Sequence, residues 1–326
     1  MKALSLLFIS FVMLSCTSNH KDEPETASGL FTKEIQLNGQ TRRYAVYIPA
    51  YSGNRQLPLV FELHGGGVYI EDMTGASGYK TPYKLWMKIA DTAKFIVVYP
   101  EGLNGAYGKP TWNDCRGDCT VNSTADDVSF IDRLINTISG HYPVDLNRIY
   151  VSGTSNGGLM SLRLAVQRPQ TFAAFAVTAA SLPAVPSCGN PSTPVSILFM
   201  NGTDDNHLPY TGGTVSNPPN PDFGTVLSTD QSIDTFKNLA QTNHTASPYL
   251  FPDLDPDDGG QVEKFLYENS LTQKQVILYK VNGGGHSAPS IQERYSPLFE
   301  QYFNKQNHDI EMTVEVWHFF RDKTLP

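Results

Sequence analysis

Arg148-Ile149-Tyr150-Val151-Ser152-Gly153-Thr154-Ser155-Asn156-Gly157-Gly158-Leu159-Met160 is the stretch on which the fold turns. Its first four residues read as a short apolar strand, and the run from Gly158 to Ala165 reads as a helix. Between them, Gly153-Thr154-Ser155-Asn156-Gly157 fits the pattern G-x-S-x-G. In that setting the pattern describes a sharp turn that lifts a serine hydroxyl above the end of a sheet. The glycines let the backbone turn where a side chain would clash, and the N-terminus of the following helix then faces the reacting group. With 26 glycines in the chain, the pentapeptide carries little weight alone. Its surroundings decide.

On either side, apolar runs bounded by turn residues alternate with helical patterns. Strands are predicted over 44–48, 57–63, 95–99, 148–151, 195–200 and 276–281, with 172–179 as a further buried strand. Helices are predicted over 83–93, 126–139, 155–167 and 230–242. Near-continuous apolar runs such as Phe95-Ile96-Val97-Val98 suit strands covered on both faces. The alternation predicts an α/β fold, a mostly parallel central sheet with helices on both faces and right-handed crossovers. Sheets of this kind gather their chemistry at the carboxyl ends of the strands.

The chemically suggestive residues fall at such ends. His64-Gly65-Gly66-Gly67 follows the strand over 57–63, and small residues there let backbone N–H groups approach a developing oxyanion. Gly66 is the first candidate donor, with Gly65 as its neighbour and Asn156 as the second donor; His64 reads as a structural residue holding the loop. After the strand over 195–200 comes Asn201-Gly202-Thr203-Asp204-Asp205. Asp205, third after the glycine, is the favoured acid, and Asp204 reads as its solvated neighbour. Val281-Asn282-Gly283-Gly284-Gly285-His286 places His286 on a glycine-rich loop straight after a strong strand, which makes it the best general base among 8 histidines. The order Ser155, Asp205, His286 is that of α/β-hydrolases, not of the chymotrypsin or subtilisin arrangements.

The rest of the chain sets bounds. Lys2 and the apolar stretch from Ala3 to Leu14 form a targeting segment too short to span a bilayer. Met13-Leu14-Ser15-Cys16 reads as a lipoprotein cleavage box, with Met13 departing from the usual leucine. Residues 1–15 are then a signal peptide, and Cys16 a lipidated N-terminus on a flexible tether over 16–30. One catalytic domain follows over 31–326. Lys21-Asp22-Glu23 resembles a surface-export signal of lipoproteins. The expectation is a cell-envelope lipoprotein of the outer membrane, displayed at the surface and held by acyl chains. A formal net charge of −8 argues against a nucleic-acid partner. Three cysteines remain, Cys115, Cys119 and Cys188; a disulfide is allowed, and its pairing stays open. No zinc spacing surrounds them. The acidic run Asp253-Leu254-Asp255-Pro256-Asp257-Asp258-Gly259 misses the calcium-loop pattern and reads as a surface turn, so no metal is expected. Asp126-Asp127 reads as a helix cap.

These motifs together resemble the polyhydroxybutyrate depolymerase-like and feruloyl-esterase-like group of α/β-hydrolases, close to carbohydrate esterase family 1. The resemblance runs from about residue 42 to 320. It includes Tyr99-Pro100-Glu101-Gly102, Trp112-Asn113, Asp126-Asp127-Val128 and Pro209-Tyr210 beside the motifs above. It implies a secreted serine esterase without cofactors, acting on polyesters or on acyl groups of plant polysaccharides. Feruloyl or acetyl esters rank first and polyhydroxyalkanoates second. A peptidase on the same fold and a non-catalytic glycan-binding lipoprotein are the rival readings. Trp112 and Tyr210 are the candidates for stacking on a sugar or an aromatic acid. Two departures concern the site. Asn201 stands where a histidine often precedes the glycine, and Ser287-Ala288 replaces a frequent Thr-Trp.

Overall fold

Leu57–Leu63 is buried along its whole length and lies in the middle of an 11-stranded sheet. The computed structural model describes residues 27–51, 55–216 and 220–326. The signal segment, Cys16 and most of the expected tether lie outside these residues. The strands are β1 (Gly29–Leu37), β2 (Gln40–Ile48), β3 (Leu57–Leu63), β4 (Ile96–Pro100), β5 (Val144–Thr154), β6 (Ala174–Thr178) and β7 (Ile197–Gly202). Four two-residue strands follow: β8 (Gly213–Thr214), β9 (Thr225–Val226), β10 (His244–Thr245) and β11 (Tyr249–Leu250). β12 (Gln261–Glu268) and β13 (Gln275–Asn282) complete the set. The helices are α1 (Ile70–Met73), α2 (Leu85–Ala93), α3 (Asp127–His141), α4 (Asn156–Gln167), α5 (Thr229–Ala240), α6 (Pro297–Phe303) and α7 (Met312–Phe320).

The sheet runs β1-β2-β4-β3-β5-β6-β7-β13-β12-β10, with β11 also on β12. From β4 to β13 the neighbours are parallel, and antiparallel strands flank them on both sides. Along β7, Ile197 and Phe199 join one core cluster while Leu198 and Met200 join the other, as the two-residue period of a strand requires. Helices α3, α4 and α5 cover the first face, and α1, α2 and α7 the second. The expected α/β architecture is therefore the one observed.

Differences from the predicted elements have local causes. Pro58 lacks an N–H, and the pairing of β3 with β5 jumps there, from Leu57 opposite Val144 to Leu59 opposite Ile149. Strand β5 consequently begins four residues before the predicted apolar core of 148–151. Strand β1 begins at Gly29, so the last two residues assigned to the tether are already strand. It pairs with β2 through a two-residue turn at Asn38-Gly39, both at positive φ (51° and 76°). Asp126 caps α3 by accepting from the Ser129 N–H, and buried Asp127 pairs with Arg42 of β2 at 2.6 Å. Both aspartates are structural.

Candidate active site

Strand β5 ends at Thr154 and α4 starts at Asn156, which leaves Ser155 alone in the turn at φ 57° and ψ −122°. A non-glycine residue seldom holds such a backbone, and it persists only where its surroundings impose it. Here the Ser155 N–H donates to the Thr178 carbonyl at 2.9 Å, and a Cβ on Gly157 would run into the Leu63 carbonyl. The glycine thus lets α4 approach β3 closely while Ser155 is pushed up out of the sheet.

Two interlocked loops bring the other side chains to it. After β7, Asp204 N–H donates to Gly284 O at 2.9 Å and Thr203 N–H to Val281 O at 2.9 Å. After β13, Gly285 N–H donates to Lys305 O at 2.7 Å and His286 N–H to Phe303 O at 2.6 Å. A side chain on Gly285 would meet the Phe303 backbone, so the glycine run is what allows this closeness. His286 Nε2 lies 2.8 Å from Ser155 Oγ, and His286 Nδ1 lies 2.7 Å from Asp205 Oδ2. The other Asp205 oxygen accepts the N–H groups of His207 and Leu208, each at 2.8 Å. The Asp204 side chain is exposed and, among the described residues, accepts only from its neighbour Thr203 Oγ1, so Asp205 is the acid placed beside His286. Asn201, the unusual residue before Gly202, pairs with both backbone groups of Ala180 and ties the end of β6 to β7.

The predicted oxyanion loop lies against the serine. A Cβ on Gly65 would sit 3.5 Å from Ser155 Cβ, and one on Gly66 3.8 Å from Asn156 Cβ. The N–H groups of Gly66 and Asn156 have no acceptor among the described residues. His64 holds this loop: its Nδ1 faces Gly65 O at 2.7 Å, and its Nε2 accepts the Gly102 N–H at 2.9 Å. Burial lowers its pKa to about 4, which keeps it neutral.

A cavity of about 570 Å³ opens over Ser155, Gly66, Asn156 and His286. Two predicted binding residues are not part of its wall. Trp112 is fully buried; its indole stacks beside His64 and donates to the His64 carbonyl at 2.9 Å. It cannot meet a ligand face to face. Tyr210 lies outside the cavity lining, with its hydroxyl on Asp230 at 3.2 Å. The aromatic wall is built instead by Tyr295, Phe299 and Phe303, in series with centroids 4.0 and 4.5 Å apart, and Phe223 and Tyr107 also line the cavity. Their spacing of four residues, just before and along α6, is a sequence signal for one helical face.

Cys115 and Cys188 form the disulfide, and Cys119 is free. Asp255, Asp258 and His308 bring potential ligand atoms within 4.8 Å of one another. Asp255 is paired with Arg294, however, and the Asp258 oxygens accept the Gly260 and His308 N–H groups. These bonds tie the turn around Asp255 to the segment around His308.

Serine, histidine and aspartate in one hydrogen-bonded row, at the carboxyl ends of a mostly parallel sheet, define an α/β-hydrolase. Residues 42–185 match the family model described as esterase PHB depolymerase. NocK of Nocardia uniformis subsp. tsuyamanensis, provisionally named an esterase, is 29% identical over 87% of this chain and 81% of its own. A probable feruloyl esterase C of Aspergillus clavatus is 29% identical over 65% of this chain and 70% of its own. The solved structure of a thermostable esterase shares the fold, with a TM-score of 0.51 and 15% identity over 90% of this chain and 63% of that one. The chain is a serine carboxylic ester hydrolase, related to esterase PHB depolymerases and feruloyl esterases.

Proposed function

We propose that the enzyme removes feruloyl or acetyl groups from plant polysaccharides or oligosaccharides, with Ser155 as nucleophile. The observation that carries this reading is the row Ser155–His286–Asp205 opening directly onto an aromatic-walled cavity. His286 Nε2 takes the Ser155 proton as Oγ attacks the ester carbonyl. The Gly66 and Asn156 N–H groups hold the oxyanion, and Asp205 keeps the imidazole hydrogen on Nδ1 and stabilises the cation that forms. His286 then returns its proton to the leaving alcohol, and water repeats the sequence on the acyl-enzyme. The series Tyr295, Phe299 and Phe303 suits a planar phenolic ring, since offset aromatic stacking favours such a group. Tyr79 and Tyr107, 71% and 62% exposed at the cavity, are surfaces on which a sugar can rest. Acylation at Cys16 would keep the enzyme in the cell envelope, where polysaccharide fragments arrive; loss of fatty-acid labelling in Cys16→Ala tests that part.

Hydrolysis of methyl ferulate, p-nitrophenyl acetate and a polyhydroxybutyrate film by wild type and Ser155→Ala tests the whole. Turnover of the first two by wild type alone is expected. A wild type that cleaves only the polyester refutes the substrate class, and an active Ser155→Ala refutes the nucleophile.

A further inference from the structure

His207 stands two residues after Asp205 and has no place in the proton path. Its ring stacks on His286, with centroids 5.3 Å apart and planes 24° from parallel, and packs tilted against Phe303 at 4.6 Å. Its hydrogen bonds determine which nitrogen is protonated. Asn206 Nδ2 donates to the Tyr302 carbonyl at 2.9 Å, so the amide oxygen of Asn206 is the atom facing His207 Nδ1, at 2.8 Å. An amide oxygen only accepts; Nδ1 therefore carries the hydrogen, and Nε2 of the neutral ring is an acceptor. Burial, reinforced by His286, lowers the His207 pKa to about 4, so this neutral form prevails near pH 7. His207 lines the cavity, and its Nε2 has no partner among the described residues and is not among the buried unpaired atoms.

We propose that His207 determines specificity on the alcohol side: its Nε2 accepts a hydrogen bond from a hydroxyl next to the ester oxygen, as a sugar presents. The inference rests on the esterase reading above. In that mechanism His286 passes its proton to the leaving oxygen, so the alcohol half lies at the edge of His286. A hydroxyl on the adjoining carbon is about one hydrogen-bond length further on, about 2.8 Å, and His207, stacked against His286, lines the same cavity. Neutrality serves the same end, since a cation there would oppose the imidazolium forming on His286.

Two esters isolate this contact: 2-hydroxyethyl ferulate, which offers the donor, and 2-methoxyethyl ferulate, which does not. Wild type is expected to favour the first in kcat/KM by about tenfold, the effect of one hydrogen bond to an otherwise unpaired site. In His207→Phe, which keeps a flat ring on His286, the ratio should fall to about one; His207→Gln, whose amide oxygen accepts, should keep most of it. Equal rates in wild type, or an unchanged ratio in His207→Phe, overturn the proposal. Turnover of p-nitrophenyl acetate separates the two levels, because its absence in wild type would refute the esterase reading instead.

Discussion

Asparagine at position 205 should nearly silence the enzyme without unfolding it. The Asp205 side chain is 2% exposed, and both oxygens are committed. One accepts two backbone N–H groups at 2.8 Å, and the other faces His286 Nδ1 at 2.7 Å. In Asp205→Asn, the two N–H groups require the amide oxygen, which turns the amide NH₂ toward His286 Nδ1. Nδ1 must then be the lone-pair nitrogen, and the hydrogen moves to Nε2. Nε2 now donates to Ser155 Oγ at the contact where it should accept. A tautomer fixed the wrong way lowers kcat by about 10⁴-fold, equivalent to roughly 5 kcal/mol of barrier. KM should move little, because Asp205 does not line the cavity. Steady-state kinetics on p-nitrophenyl acetate read both constants, and a thermal melt confirms folding. Exposed Asp204 supplies the control: Asp204→Asn should stay within about twofold of wild type. If Asp205→Asn keeps more than a tenth of its kcat, or if Asp204→Asn falls as far, the assignment of the acid is refuted.

The Cys115–Cys188 bridge spans a sequence separation of 73 residues, for which the chain-entropy relation gives about 4 kcal/mol. The pair Cys115→Ser and Cys188→Ser should lose stability on that scale in urea; an unchanged midpoint would show that the bridge does not constrain the unfolded chain. Glu62 predicts a pH dependence. Burial raises its pKa from 4.5 to about 8, while its carboxylate accepts the Trp86 indole N–H at 2.8 Å. Between those values the folded protein keeps a proton that the unfolded chain has lost. Glu62 therefore subtracts stability progressively as pH rises from 4.5 to 8, by up to roughly 5 kcal/mol. Glutamine cannot ionise, so the stability of Glu62→Gln relative to wild type should increase between pH 5 and 8. Parallel melting curves at the two pH values would contradict this.

What the sequence made legible follows from where each residue lies. β3, β4 and β7 are buried along their whole length and read as mainly apolar runs. The serine, acid and histidine follow β5, β7 and β13, whose buried stretches also read as apolar. β1 alternates half-buried and exposed positions, and β12 is half-buried almost throughout; neither presents an apolar run. The strand prediction therefore starts only at 44–48, and β1 with its Asn38-Gly39 turn emerges from the structure. The cavity wall was the least legible part. Phe223 and Tyr107 meet at 5.9 Å from distant loops, and Cys115 finds a partner 73 residues away; neither contact has a local signature.

Trp112 shows why the misreading matters for mechanism. An aromatic residue in a glycine- and asparagine-rich loop suggests a ligand platform, yet its loop folds inward. The indole N–H holds the His64 carbonyl, next to the Gly65-Gly66 segment. The Trp112 backbone N–H meets Asn156 Oδ1 at 2.6 Å, and Asn156 Nδ2 reaches Asp114 at 2.6 Å. Asp114 in turn pairs with buried Arg116, which lines the cavity. One tryptophan thus joins the segments carrying both candidate oxyanion donors. Preorganised donors stabilise charge because they need not reorient as it develops. Trp112→Phe, which removes the indole N–H but keeps a buried ring, is therefore expected to lower kcat on p-nitrophenyl acetate with little change in KM.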